Sequence, residues 1–332
     1  MKRVGVIGAG SWGTALAIMA ARAGHEVVLW SRNNDVVDSI NNERVNVAYL
    51  SEAKVPANVL ATANFEDAVK NAGLVVFAAP SHSARHLFGE MSKSLSRSST
   101  IVSAAKGIEI ESGKRVSEVA SDLFGDDILT HFVCLSGPSF AKEVVAGHPT
   151  AIVAASQDES VAQALQRDLS IDNLRIYTNS DLIGVELGGS VKNVMAIAAG
   201  MTSGLGYGSN SVAALITRGL SEITRLALKQ GAQLETLMGL ACLGDLVLTC
   251  TGALSRNRFV GEELGKGRTI QAITEGMNEV AEGIKTSRAV KLLADKVGIE
   301  MPITNEVDAV LYSGKSASDA VAELMRRPLK KE

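Results

Sequence analysis

Short apolar runs recur through the first half of the chain, separated by stretches in which apolar positions return every three or four residues. The runs are Arg3–Ile7, Glu26–Trp30, Leu74–Ala79, Thr100–Ala104, Phe132–Ser136, Thr150–Ala154 and Arg175–Tyr177. Most are apolar without alternation, as parallel strands buried on both faces require. Thr14–Ala23 and Gly113–Leu123 fit helices between strands. Strand–helix alternation of this kind predicts an α/β half with a doubly wound parallel sheet. Near Asp181 the pattern changes. From Leu182 onward no strand run is evident, and helix-length stretches follow at Leu182–Ala199, Ser211–Gln230, Leu234–Leu240, Phe259–Leu264 and Ser287–Val297. The chain therefore divides into residues 1–182, built on a sheet, and an all-α remainder, residues 183–332, ending in a charged tail expected to fray.

Composition narrows the class. Hydrophobic residues make up 46% and charged residues 21%, an ordinary globular balance, while only 4% are aromatic. The net charge of −3 gives no global attraction to nucleic acid or to an anionic membrane. Anionic ligands must then be met by local cations. Cys134, Cys242 and Cys250 form no Cys-x-x-Cys pair, and an odd count in apolar context predicts reduced core thiols and a cytoplasmic location. Met1-Lys2-Arg3 before an apolar run imitates a leader, but Gly8-Ala9-Gly10 breaks the run at once, and a βα unit accounts for the same residues better. No stretch of about 18 residues is apolar without polar interruption, so no membrane insertion is expected. The five histidines show no ligand spacing, and no metal is expected.

Gly8-Ala9-Gly10-Ser11-Trp12-Gly13 matches G-x-G-x-x-G between a predicted strand and a predicted helix. In that setting Gly8 makes the tight turn, Gly10 admits a pyrophosphate to the backbone, and Gly13 lets helix and strand close up. This makes the first half a Rossmann-like dinucleotide site. An NAD-selective site would carry Asp or Glu after the second strand; Arg32 stands there instead, which suits the 2′-phosphate of NADP, unless it is a solvated loop arginine.

Lys192 is the only formally charged residue in the 31-residue stretch Leu187–Thr217. A helix apolar nearly all round is buried. A buried lysine loses basicity and becomes useful for proton transfer, so Lys192 is a general acid/base candidate. On this stretch alone, a lysine snorkelling to a domain edge explains it equally well. Lys106 follows a predicted strand, at the carboxyl end where open sheets bind ligands, and Gly137-Pro138-Ser139 follows another. A second candidate cluster joins Asp245 and Thr249 to the run Ser255-Arg256-Asn257-Arg258, whose two arginines beside Ser and Asn offer phosphate-binding chemistry, although that run alone also reads as a solvated loop.

Taken together these motifs resemble bacterial glycerol-3-phosphate dehydrogenase. The similarity spans essentially the whole chain and rests on Gly8–Ala15, Lys106-Gly107-Ile108-Glu109, Gly137–Ala141, Leu187–Asn193, Gly244-Asp245-Leu246, Ser255-Arg256-Asn257 and Glu279-Val280-Ala281-Glu282-Gly283, in that order. The resemblance implies hydride transfer between NADP or NAD and dihydroxyacetone phosphate, giving sn-glycerol 3-phosphate for phospholipid synthesis, in a homodimer. It implies catalytic roles for Lys192, Lys106 and Asp245. Substrate contacts would come from Lys106, Gly137, Ser139, Lys192, Asn193, Asp245, Ser255, Arg256 and Asn257. Cofactor contacts would come from Gly8, Gly10, Ser11, Trp12, Gly13, Arg32, Lys106, Ala141, Arg256, Val280 and Glu282. Trp12 departs mildly from the motif, where another aromatic or aliphatic residue is common. Two rivals remain on sequence grounds: a β-hydroxyacid or 6-phosphogluconate dehydrogenase, which lacks the Lys106 and Ser255–Asn257 pair of motifs, and a nucleotide sensor without turnover, which has no use for a buried Lys192.

Overall fold

The computed structural model describes residues 1–277 and 281–329. The chain opens with β1 (Arg3–Ile7), α1 (Ser11–Arg22) and β2 (Glu26–Trp30). α2 (Asn34–Asp38) runs on through a π turn at Ser39–Glu43 into a hairpin of β3 (Val45–Asn46) and β4 (Leu50–Lys54), and β5 (Val59–Thr62) returns to the main sheet. Then come α3 (Phe65–Val69), β6 (Leu74–Phe77), α4 (Ala84–Met91), β7 (Thr100–Ser103), α5 (Val116–Phe124), β8 (Phe132–Ser136), α6 (Ala141–Val145), β9 (Thr150–Ala155), α7 (Glu159–Leu169) and β10 (Leu174–Asn179). The eight-stranded sheet has the order β10-β9-β8-β7-β6-β1-β2-β5.

Two features of this sheet differ from the expectation. It is not parallel throughout: β8 and β9 pair antiparallel, so β9 and β10 run against the other six strands. The continuous apolar runs report burial on both faces, and burial does not encode direction. β5, a four-residue edge strand whose Leu60 faces solvent at 59% exposure, has no counterpart among the predicted strands.

The chain leaves β1 in one direction through β2 to β5 and in the other from β6 to β8, so the order reverses between β1 and β6. The loops after these two strands touch. Gly8 has φ of +110°, and a Cβ there would lie 2.8 Å from the Ala79 nitrogen. A Cβ on Gly13 would lie 1.9 Å from the Gly8 carbonyl oxygen, which is the close helix–strand packing its position in the motif predicts.

The second half comprises α8 (Leu182–Gly204), α9 (Ser209–Lys229), α10 (Leu234–Leu237), α11 (Asp245–Thr251), α12 (Arg256–Gly265), α13 (Ile270–Thr274), α14 (Glu282–Val297), α15 (Pro302–Tyr312) and α16 (Ala317–Met325), with no strand among its described residues. α11, α13, α15 and α16 were not among the expected helices, and α12 starts three residues before the predicted Phe259. α8 is the axis. Its Leu182 and Val185 join the apolar cluster on one face of the sheet, with Phe77, Phe88 and Phe132, while Leu187 onward is the centre of the helical core. By length and composition α8 and the segment Leu234–Thr251 are apolar enough to cross a bilayer, but the α8 window is 94% buried within the protein. Its hydropathy thus serves a core helix.

α8 and α12 cross with their backbones almost in contact. A Cβ on Gly200 would lie 2.0 Å from the Arg258 carbonyl oxygen, one on Gly204 2.2 Å from that of Glu262, and one on Gly261 1.9 Å from that of Ile197. Glycines four apart on both helices remove the side chains that would hold them apart. This crossing brings the N-terminus of α12 against the middle of α8, where Lys192 and Asn193 lie.

Candidate active site

A cleft of about 680 Å³ opens at the carboxyl ends of β1, β2, β6 and β7 and is closed from the other side by α8, α11, α12 and α14. Its wall on the sheet side is the Gly8–Gly13 turn. Gly10 caps α1 through its backbone only, and the first turn of α1 carries no acidic residue, so no carboxylate of its own offsets the positive end of the helix dipole, which faces the cleft. Trp12 Nε1 is buried with no hydrogen-bond partner. Ser11 donates its hydroxyl to the Tyr49 carbonyl at 2.7 Å, which ties the β3–β4 hairpin to the turn. A glycine cradle that a Cβ would fill, a helix N-terminus without acidic residues and an orphaned indole N–H fit an anionic dinucleotide.

Arg32 follows β2, is exposed, and lines the far end of the cleft beside Asn33, the N-cap of α2. His82 borders the same end. Burial, then the positive charges of Lys285 and Arg32, hold its pKa below the usual imidazole range.

Three charged groups meet at the floor. Lys192 Nζ donates to Asp245 Oδ1 at 2.5 Å, and Lys106 Nζ donates to Asp245 Oδ2 at 2.7 Å. Each carboxylate oxygen thus takes one ammonium. Lys192 is 5% exposed and Asp245 1%. The Lys192 ammonium also donates to Thr249 Oγ1 at 2.7 Å, and the threonine hydroxyl passes its own proton to the Asp245 carbonyl at 2.6 Å, one turn back on α11. Lys106 Nζ reaches the Gly137 carbonyl at 3.2 Å, which Ser139 Oγ shares at 3.0 Å. A π turn at Leu240–Gly244 delivers the chain to Asp245, a local widening of the helix that recurs at functional sites.

Burial is the largest influence on Lys192 and lowers its pKa; Asp245 raises it and Lys106 lowers it again, leaving it at about 8. Burial would raise the Asp245 carboxyl, but the two ammonium groups outweigh it and hold Asp245 below the usual carboxylate range. The sequence reading left Lys192 between a proton-transfer group and a snorkelling lysine. The structure excludes snorkelling, because its ammonium ends on Asp245 inside the protein.

Above the floor runs a chain of amides. Gly283 N–H donates to Asn257 Oδ1 at 2.9 Å, Asn257 Nδ2 to Asn193 Oδ1 at 3.0 Å, and Asn193 Nδ2 to the Lys106 carbonyl at 3.1 Å. Each amide is thereby fixed in one orientation. Ser255 caps α12 by accepting the Arg258 N–H at 3.2 Å, so the run Ser255–Arg258 is a helix start and not a loop. Arg256 is exposed on the first turn of α12 and lines the cleft. Arg258, weighed with it as a phosphate ligand, lies 3.6 Å from Glu262 and is absent from the lining. Glu282 Oε1 accepts the Ser81 N–H at 2.8 Å and Oε2 the Lys106 N–H at 3.4 Å, so the helical half grips the loops after β6 and β7. Burial raises its pKa against those bonds and the charge of Arg256.

Most of the predicted site residues therefore converge. Three do not line the cleft: Gly13 packs beneath it, Gly137 contributes through its carbonyl to Lys106, and Ala141 packs toward the sheet core while Phe140 faces the cleft. Val280 lies outside the described residues. Tyr49, Ser81 and His82 line or tie the site but were not predicted; each joins it through the tertiary fold, with no local motif to mark it. The three cysteines are unbridged, and burial pushes Cys242 and Cys250 up to about 12, which leaves them inert as nucleophiles. Among the described residues no three His, Cys, Asp or Glu side chains are grouped to hold a metal ion.

Comparison with known proteins agrees with this geometry. Residues 3–162 match the family model described as NAD-dependent glycerol-3-phosphate dehydrogenase N-terminus, and residues 181–322 match its C-terminus counterpart. A glycerol-3-phosphate dehydrogenase (NAD(P)+) of Koribacter versatilis is 53% identical over 330 residues, covering 99% of this chain and 98% of the relative. One from Citrifermentans bemidjiense is 46% identical, covering 100% and 99%. The crystal structure of glycerol-3-phosphate dehydrogenase from Coxiella burnetii superposes with a TM-score of 0.94 at 39% identity, covering 98% of this chain and 99% of that one.

Proposed function

This chain belongs to the NAD-dependent glycerol-3-phosphate dehydrogenase family and is an oxidoreductase, and on that premise we propose that it interconverts dihydroxyacetone phosphate and sn-glycerol 3-phosphate with Lys192 as proton donor and acceptor. The observation that carries this reading is the buried Lys106–Asp245–Lys192 cluster facing a dinucleotide cradle. Residues 1–182 hold the dinucleotide and residues 183–332 the substrate.

When bound, the nicotinamide cofactor supplies the hydride that adds to the carbonyl carbon. Gly8, Gly10, Ser11, Trp12, Arg32 and Glu282 would hold the dinucleotide, with Gly13 packing the turn. Lys192 places a proton on the carbonyl oxygen as negative charge builds there, and a pKa of about 8 keeps it protonated near neutrality yet able to give the proton up. Lys106, on the other oxygen of Asp245, stabilises the same developing charge. Asp245 stays ionised throughout and aims both ammonium groups. Arg256, with Ser255, Asn257 and Asn193, holds the phosphate and glycerol hydroxyls; Ser139 completes the substrate site, and the Gly137 carbonyl braces Lys106 behind it. Binding the remote phosphate positions the reacting carbon. Arg32, in place of an acid, favours use of NADP as well as NAD. The family resemblance supports further assignments to the cytoplasm, to a homodimer and to the supply of glycerol 3-phosphate for phospholipids.

The test is oxidation of NADPH and NADH by purified protein with a panel of carbonyl compounds. Turnover with dihydroxyacetone phosphate well above that with unphosphorylated dihydroxyacetone or a β-keto acid is expected. Preference for a β-keto acid would move the reading to the β-hydroxyacid dehydrogenases, and binding without turnover on any of them to a sensor.

A further inference from the structure

We propose that Glu186 is a positioning residue, whose carboxylate fastens the loop carrying Lys106 to the helix carrying Lys192 and so sets the spacing of the two lysines across Asp245. This rests on the roles proposed above for those lysines. Glu186 and Asn193 are seven residues apart on α8, hence on one helix face, two turns and about 10 Å apart. The loop from β7 to α5 is fixed to that face at both ends. Near its start the Lys106 carbonyl accepts from Asn193 Nδ2. At its end Arg115 Nη1 donates to Glu186 Oε2 at 2.6 Å. Ser117 adds its backbone N–H to Oε1 at 2.8 Å and its hydroxyl to Oε2 at 2.5 Å, so the same carboxylate also caps α5. Between the anchors the loop closes on itself through an antiparallel bridge of Ile108 with Arg115 and a 2.9 Å bond from Glu109 N–H to the Lys114 carbonyl. The two attachment points therefore move together. Gly189 lies between them on the same face, where a Cβ would approach Ser136 Oγ to 2.6 Å and Lys106 Cγ to 3.8 Å. The Lys106 stem thus crosses α8 where a larger residue would displace it.

Glu186 is 5% exposed and absent from the cleft lining, so it touches neither substrate nor cofactor. A buried ion pair of this kind adds little stability over apolar residues of the same size; its specific contribution is to fix one arrangement. Here that arrangement is the register of the Lys106 loop on α8.

The test compares Glu186→Gln with wild type in kcat, KM and the pH dependence of reduction, with the thermal midpoint recorded alongside and Lys192→Met as a control. With Glu186→Gln, kcat should fall roughly tenfold or more, since about 1 Å of misplacement is worth up to about 10²-fold. The limb near pH 8 should move upward, because a displaced Lys106 no longer depresses the proton affinity of Lys192. Simple deletion of a carboxylate charge would move that limb downward, so a downward or absent shift overturns the proposal, as does an unchanged kcat in a folded variant. If Glu186→Gln does not fold, Ser117→Ala removes one of the three bonds conservatively: a smaller upward shift with lowered kcat supports the proposal, and wild-type kinetics overturn it. If Lys192→Met keeps wild-type turnover, the failure lies with the assignment of Lys192.

Discussion

Lys192 is held between opposing influences: burial and Lys106 drive its proton off, while Asp245 keeps it on. Two other residues can be tested as directly. Arg256 starts α12 with its side chain at the cleft, beside two neutral hydrogen-bonding groups. Charge-assisted bonds to phosphate are worth about 1.5–3 kcal/mol each. Arg256→Ala should therefore lower kcat/KM for dihydroxyacetone phosphate by roughly 10–1,000-fold and for dihydroxyacetone much less, measured at saturating NADPH. Equal losses would assign Arg256 to the cofactor or the fold. Arg32 meets the cleft at the end of β2, and Arg32→Asp should shift the kcat/KM ratio toward NADH; equal change with both cofactors would show that Arg32 does not read the 2′-phosphate. At this scale the sequence was informative wherever chemistry had a local oddity, a lysine in an uncharged helix or an arginine where an acid belongs. It was silent on Thr249 as a ligand of Lys192, on the Ser81 amide and on Tyr49, whose partners lie 57, 201 and 38 residues away.

Among the elements, the α8–α12 crossing decides where Ser255, Arg256 and Asn257 stand. Gly261→Ala would force its Cβ into the Ile197 carbonyl, and overpacking of this kind costs about 1–3 kcal/mol. The thermal midpoint should fall, and KM for dihydroxyacetone phosphate should rise more than KM for NADPH, because Ser255, Arg256 and Asn257 ride on α12. Equal rises in the two KM values would detach the crossing from substrate recognition. Several elements were predictable to within a residue, β1, β2 and β8 among them, since a continuous apolar run between glycines leaves few alternatives. Of the helices expected after residue 182, three were fragments of α8, α12 and α14, Ser211–Gln230 matched α9 to within two residues, Leu234–Leu240 overran α10, and α11, α13, α15 and α16 were missed. Part of the reason is a cap that comes from far away: Glu222 on α9 accepts the Ile303 and Thr304 N–H groups at the start of α15 at 2.8 and 3.4 Å, and the local mark of that start is Pro302 alone.

In the whole molecule, the sheet carries the glycine cradle and the helical half carries Lys192, and they meet through Glu282 on the loops after β6 and β7 and through Asp245 on Lys106. The sequence told that there were two kinds of architecture; it did not tell that α8 belongs to both cores, because helix periodicity does not distinguish the cover of a sheet from the centre of a bundle. Nor could it reveal that β9 and β10 are reversed. The central claim is that Lys192 exchanges the proton. The most direct measurement is turnover of dihydroxyacetone phosphate and of glycerol 3-phosphate across pH by wild type and Lys192→Met. The account predicts that wild-type reduction declines above pH about 8, where Lys192 loses its proton, and that wild-type oxidation rises through the same pH. It predicts a fall of roughly 10²–10⁴-fold in Lys192→Met, in both directions, with both limbs lost. A variant that kept more than about a tenth of wild-type turnover, with the limbs still in place, would contradict it.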